Sequence, residues 1–192
     1  AQVYVSTDRL SRLVRQLLSL ARNEPGGAVA IQRHPLDLRA LALDVSMEWV
    51  PQALDKGVDL GYEGEGAPVM IDGDADRLRE LISNLIDNAI RYSMRGGRVT
   101  VSAAVVPGGA QARLSVSDDS QRIPVEERSR IFERFHRLLG TQTDGSGLGL
   151  AIVSEIASLH GARIELEDDH DGFGNRFNVY FPLDIEASGR PL

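Results

Sequence analysis

Residues 78–92 read Leu78-Arg-Glu-Leu-Ile-Ser-Asn-Leu-Ile-Asp-Asn-Ala-Ile-Arg-Tyr92. Leu78, Leu81, Ile82, Leu85 and Ala89 recur at helical steps and form an apolar stripe, while Glu80, Asn84 and Asn88, at i, i+4 and i+8, line a second one. Two amides and an acid therefore face the same way. An amide oxygen is a neutral, hard ligand that can complete the shell of a Mg²⁺ ion whose charge is already offset by nucleotide phosphates. Taken alone, a stripe of this kind is more often a solvated polar face.

Outward from this segment the chain alternates helices and strands. Asp74 stands as the N-cap of a helix over Ala75 to Tyr92, after a strand-like run from Val69 to Asp72, a turn at Gly64 to Ala67 and a strand from Val58 to Tyr62. Earlier still, Asp37 to Lys56 reads as a helix bent at Pro51 and closed by Gly57, following a short strand over His34 to Leu38. On the other side, Arg98 to Val106 and Ala112 to Asp118 make a hairpin around Pro107-Gly108-Gly109. A polar run from Ser120 to Ser146 follows, long enough to expect a functional loop, with a short helix around Val125 to Phe135. Leu148 to His160 is a last helix, and Arg163 to Glu167 and Arg176 to Phe181 are strands. The order predicts an α/β fold, a two-layer sandwich whose mixed sheet carries its helices on one face.

At the start of the chain, Leu10, Leu13, Val14, Leu17, Leu18 and Ala21 recur at helical spacing, with Arg9, Arg12, Arg15 and Arg22 across from them. Asn23-Glu24-Pro25-Gly26-Gly27 ends that amphipathic helix and opens a linker. Its apolar stripe lacks a partner helix, so self-association through residues 6–22 is expected.

Two further stretches carry chemistry. Gly145-Ser-Gly-Leu-Gly-Leu150 runs directly into a helix, where glycines admit close backbone approach and the first turn offers unpaired N–H groups to an anion. It is neither a P-loop nor a dinucleotide fingerprint, and a flexible connection is the plain alternative. Leu114-Ser-Val-Ser-Asp118 ends a strand in an acid, which can accept a hydrogen bond from the exocyclic amine of adenine where guanine presents an acceptor. A lone Asp at such a place is also a common turn former.

The order of these pieces, with Phe132-Glu-Arg-Phe135 and His160-Gly161 between and after them, resembles the catalytic domain of sensor histidine kinases over residues 34 to 183. The wider group includes gyrase, mismatch-repair and heat-shock ATPases. The resemblance implies a Bergerat-type ATP-binding fold with ATP and Mg²⁺. It places Asn84 and Asn88 near the metal and phosphates, and Arg91 and Tyr92 near the nucleotide. Asp118 becomes the adenine reader, with Ile123, Gly145, Ser146, Gly147, Leu148, Gly149 and Leu150 also against the nucleotide. Phe132 and Phe135 would anchor an ATP lid, Arg137 would approach the γ-phosphate, and Glu80 would act as a base or orienting group.

The same resemblance divides the chain into the second helix of a dimerisation and phosphotransfer hairpin (1–24), a linker (25–33), the catalytic domain (34–184) and a tail (185–192). The implied partners are the phosphoacceptor hairpin of a parent kinase and a response regulator, with a cytoplasmic domain attached to an inner-membrane sensor. None of His34, His136, His160 and His170 is followed by the acid and Thr/Asn-Pro pattern of a phosphoacceptor, so self-phosphorylation by this chain is not expected. The family's first glycine box, Asp-x-Gly-x-Gly, is here Asp118-Asp-Ser-Gln-Arg122. If those positions need positive φ, Ser120 and Arg122 would each cost on the order of 1 kcal/mol. Arg122 would then crowd the pocket or add a phosphate contact. A module of the same fold that no longer uses ATP, or a superfamily serine kinase or ATPase, are the alternatives.

Composition narrows the classes further. A chain of 192 residues, 42% hydrophobic and 26% charged, buries one sizeable core, and a net charge of −7 disfavours a nucleic-acid surface. With no cysteine there is no disulfide framework, which suits a reducing cytosol. The apolar runs Leu36 to Val45 and Leu148 to Ala157 are too short and interrupted to span a bilayer, so no membrane contact is expected. Opening on Ala1-Gln2-Val3 without a signal-peptide pattern, the sequence reads as an excised piece of a longer protein.

Overall fold

The computed structural model describes residues 31–138, 146–169 and 174–183. The elements in chain order are β1 (His34–Asp37), α1 (Leu38–Lys56), β2 (Asp59–Glu63), β3 (Met70–Gly73), α2 (Ala75–Tyr92), β4 (Arg98–Val105), β5 (Gln111–Asp118), α3 (Gly149–Leu159), β6 (Arg163–Asp168) and β7 (Asn175–Pro182). The main sheet has five strands in the order β2-β4-β5-β7-β6, with β2 parallel to β4 and the other pairs antiparallel. It is the mixed sheet expected. β1 and β3 stand apart as an antiparallel pair.

Alternation along the strands explains the two layers. Val99, Val101 and Ala103 of β4, Ala112, Leu114 and Val116 of β5, and Phe177, Val179 and Phe181 of β7 are all buried, and all lie on the face covered by the helices. Into this face α2 delivers Leu78, Leu81, Ile82, Leu85, Ile86, Ala89 and Ile90, where each large side chain contributes about 1.5–3 kcal/mol of burial. The same helix touches both α1 and α3. On the helix-free face the strands carry polar groups instead, such as Ser115 donating to Asn178 Oδ1 at 2.8 Å.

The first two helices begin at a side-chain cap. The Asp74 carboxylate accepts from the Arg77 N–H at 3.2 Å and starts α2. Lys56 donates to the carbonyls of Ile90, at 2.6 Å, and Arg91, setting a cation on the negative end of α2. Asp37 caps α1, which continues through Pro51 and ends at Gly57 with φ 72°. The short helix expected over Val125 to Phe135 is instead two 3₁₀ turns, Val125–Glu127 and Arg130–Phe132. Neither has a side-chain N-cap bond, and the Phe135 backbone lies in the left-handed region at φ 64°, so no continuous helix forms. The expected helix over residues 6–22 and its self-association lie outside the described residues.

His160 ties the beginning of α2 to the end of α3. Its Nδ1 bonds the Ile156 carbonyl at 2.7 Å, and its Nε2 accepts from the Asp74 N–H at 3.1 Å, which requires the neutral ring. Gln32 and Arg33 dock on the same junction, through Gln32 N–H to Asp74 and the Arg33 guanidinium to the Leu159 carbonyl. Burial holds the His160 pKa below its ordinary value; Arg33 also lowers it, against the Ile156 carbonyl, Asp74 and Asp72. The unfolded chain therefore binds the proton more readily, and folding stability falls as pH drops below about 6.5. One proton's worth, about 1.4 kcal/mol per pH unit, is the ceiling on this slope. Melting curves between pH 7.5 and 5.5 check this, since a His160→Gln variant should lose that part of the slope.

Candidate functional site

At the end of β5, Asp118 is 3% exposed and lies on the helix side of the sheet, directly across from Asn175 at the start of β7. Its Oδ1 accepts from the Ser120 N–H at 3.0 Å, from the Ser120 hydroxyl, and from Asn175 Nδ2 at 3.2 Å. Burial pushes the carboxyl pKa up, and these three bonds together oppose the shift, while the neighbouring Asp119 adds to it. Asn175 also donates to Ser120 Oγ at 3.0 Å and to the Gln121 carbonyl at 3.1 Å, and accepts from the Ile123 N–H at 2.9 Å. Ile123, named from the sequence, is thus anchored beside Asp118 through Asn175. The sequence reading missed Asn175; the available signal was Gly174, whose glycine is required. At φ 87° its backbone lies so close to Asp118 that a Cβ would stand 2.0 Å from the Asp118 carbonyl oxygen.

The second half of the site is where α2 meets α3. Asn84 donates its Nδ2 to the Glu80 carbonyl at 2.8 Å, which turns Oδ1 toward the first residue of α3. A Cβ on Gly149 would stand 3.2 Å from that oxygen, so the glycine keeps the approach open. α3 starts without a side-chain cap from Leu148, leaving first-turn N–H groups for another acceptor, while the Leu148 N–H itself bonds Ser146 Oγ at 3.2 Å. The segment entering α3 is pinned by backbone: Phe135 N–H donates to the Gly147 carbonyl at 2.9 Å, and both residues have positive φ. A Cβ on Gly147 would meet the Phe135 carbonyl carbon at 2.8 Å.

The remaining sequence candidates fall around these two poles. Asn88 is half-buried one turn after Asn84, and Tyr92 is half-buried at the end of α2. Arg91 is held by Asp87 at 2.9 Å. The Glu80 carboxylate lies 4.0 Å from Arg77 on its own helix. Leu150 follows Gly149 in the first turn of α3, half-buried. Arg137 is exposed, just beyond His136, which is bound to Glu127 at 2.7 Å. The two phenylalanines differ: Phe132 packs edge-on against Phe177 at 6.4 Å, whereas Phe135 is 65% exposed. Gly145 lies outside the described residues. On the helix-free face, a depression of about 330 Å³ is lined by Asp59, Asp119 and Asp169 together with Arg98, Gly96, Thr100 and Ser117, and it contains none of the sequence-named site residues.

The expected cost of losing the family glycines is absent. Among the described residues Phe135 is the one non-glycine with positive φ, so Ser120 and Arg122 are unstrained. Ser120 instead bonds Asp118. The Arg122 guanidinium is turned onto Asp168 at the end of β6, with Nε at 2.9 Å from Oδ1, and shares that carboxylate with Arg128. Arg122 holds the Asp168 carboxyl below the usual range, and Arg128 assists. The pair is solvent-facing, where screening by water leaves an ion pair little net effect. Arg122→Ala should change affinity for a Mg-nucleotide by less than about threefold, read by titration calorimetry.

The family described as histidine kinase-, DNA gyrase B- and HSP90-like ATPases matches residues 73–185. The sensor protein kinase PmrB of Pseudomonas aeruginosa is 39% identical over 99% of this chain, which spans 39% of that protein's length. Among solved structures, a mycobacterial sensor histidine kinase MprB aligns at 30% identity and TM-score 0.65, over 83% of this chain and 99% of that one. Full-length ShkA, solved with AMPPNP, aligns at 31% identity and TM-score 0.77, over 94% of this chain and 38% of that one. The mixed five-stranded sheet with its helices agrees with these matches. The chain belongs to the histidine kinase-, DNA gyrase B- and HSP90-like ATPase family, and it is related over nearly its whole length to sensor histidine kinases.

Proposed function

We propose that this chain binds Mg-ATP and that, within its parent protein, it transfers the γ-phosphoryl group to a histidine on a dimerisation hairpin. The observation that carries this reading is the Asn84 amide oxygen aimed at the opened first turn of α3. It sets a neutral oxygen donor beside an anion-binding helix end, as a metal–triphosphate requires. The AMPPNP bound by the ShkA relative supports the same ligand class.

Asn84 and Asn88 would hold Mg²⁺, and their neutral oxygens fit an ion whose charge is met by phosphates. When bound, the ion draws charge from the phosphate oxygens and so favours departure of ADP. The protein's share is positioning: the N–H groups of α3's first turn hold phosphate oxygens, Asp118 orients the base, and Arg137 approaches the γ-phosphate. Glu80 orients the incoming imidazole from its place one turn before Asn84. In this reading residues 34–184 form the catalytic domain, 25–33 the linker and 1–24 the second hairpin helix. A response regulator takes the phosphoryl group afterwards, on the cytoplasmic side of the membrane.

The test is labelled ATP offered to this chain together with a separate hairpin carrying the histidine. Acid-labile phosphate on the hairpin is the expected result. Acid-stable phosphate, or free phosphate with no labelled hairpin, overturns the reading in favour of a serine kinase or an ATPase.

A further inference from the structure

Asp118 has two carboxylate oxygens, and among the described residues every hydrogen bond to it ends on Oδ1. Three donors crowd that oxygen, two from Ser120 and one from Asn175. A carboxylate whose one oxygen is saturated presents the other as its remaining acceptor. Which oxygen is saturated depends on where the donors stand. Ser120 is two residues on, beyond the end of β5, whereas Asn175 belongs to β7, is 2% exposed, and faces Asp118 in strand register. It is therefore the one donor of the three that is fixed by the sheet.

Asn175 also organises the segment after Asp118. Through one amide it reaches Asp118 Oδ1, Ser120 Oγ, the Gln121 carbonyl and the Ile123 N–H, at 3.2, 3.0, 3.1 and 2.9 Å. With three acceptors near one NH₂ group, at least one bond is shared. The stretch 118–123, which lacks the family's glycines, is thus stitched to β7 by a single side chain. Gly174 makes this placement possible, since its bare Cα lets the β7 backbone sit on the Asp118 carbonyl.

We propose that Asn175 is the positioning residue for base recognition: it pins Asp118 Oδ1 so that Oδ2 stands ready to accept the exocyclic amine of an adenine nucleotide. The proposal rests on the Mg-ATP reading. Asn175 acts through Asp118 and does not itself touch the base. Its contribution therefore appears only with ligands that carry the amine.

The test compares ATP with purine riboside 5′-triphosphate, which lacks that amine, both with Mg²⁺, by titration calorimetry on the full chain. The unsubstituted protein should bind ATP at least about tenfold more tightly than the analogue. Asn175→Ala should lose about tenfold in ATP affinity and less than about twofold for the analogue, so that discrimination collapses. Equal losses for both ligands, or no loss, overturn the proposal. Should Asn175→Ala fail to fold, Asn175→Asp keeps the acceptor for the Ile123 N–H while removing every Nδ2 donation. It also sets a second carboxylate against Asp118, so its ATP affinity should fall selectively and the pH dependence of that affinity should move to higher pH. An unchanged pH profile with retained discrimination overturns the proposal. If the unsubstituted chain binds neither ligand, the Mg-ATP reading itself has failed; if it binds both equally, ATP binding stands but the amine is not read, and the role of Asn175 is overturned.

Discussion

Replacing Asp118 with asparagine is expected to lower Mg-ATP affinity by at least about a hundredfold and to narrow or invert the preference over GTP. The Ser120 N–H, the Ser120 hydroxyl and Asn175 Nδ2 all point at one oxygen of the native side chain. In the variant those donors keep the amide oxygen, and the NH₂ group turns to the position that Oδ2 held. A donor then faces the amine of adenine, while the carbonyl of guanine finds a match. The loss will not come from unfolding. Because burial raises the carboxyl pKa, the folded chain holds that proton more tightly than the unfolded chain does. Ionisation of Asp118 therefore opposes folding at neutral pH, an opposition that fades as pH falls from the raised pKa toward the ordinary carboxylate range, and a neutral amide removes it. The variant should melt no lower than the native protein near pH 7. Calorimetric titration with ATP and GTP analogues, beside melting curves, checks both halves; undiminished ATP affinity would refute the role of Asp118.

Much of this arrangement was legible in the sequence because it is local. The α2 stripe from Leu78 to Ala89, the Asp74 cap and the Gly-rich entry to α3 each follow from spacing within a few residues, and each stands where expected. What spacing could not reveal is long-range. Asn175 lies 57 residues from Asp118, and only the β5–β7 register brings them together. What replaces the glycines of the first box is out of reach of local spacing for the same reason. Ser120 and Arg122 were weighed by the conformation glycines adopt, whereas the structure spends Ser120 on the Asp118 carboxylate and Arg122 on Asp168, a residue of another strand. The 3₁₀ turns after Pro124 are read from the sequence as one short helix, although Ile131 and Phe132, which pack on the core there, are adjacent and set no helical period. Their termination depends on the Phe135–Gly147 backbone bond, again a contact distant in sequence.

Asn84→Ala should slow phosphoryl transfer to a separate hairpin by at least about a hundredfold, the scale seen when one preorganised electrostatic contact is removed from a transition state. The side chain spends its NH₂ on the Glu80 carbonyl one turn back, so its oxygen is held rather than free to rotate. Alanine removes the oxygen and leaves the helix intact: it is the best helix former, and the Glu80 carbonyl keeps its place in the α2 ladder. Thermal stability should therefore move by no more than about 1 kcal/mol, and binding of the base should persist because Asp118 lies at the other pole of the site. The requirement for Mg²⁺ should rise by about tenfold, since one of the two amide oxygens offered to the ion is gone. Single-turnover transfer measured across a Mg²⁺ series separates these terms. A native rate at low Mg²⁺ would mean that the Asn84 oxygen faces α3 for packing alone, and the phosphate end of the site would have to be sought elsewhere on that helix.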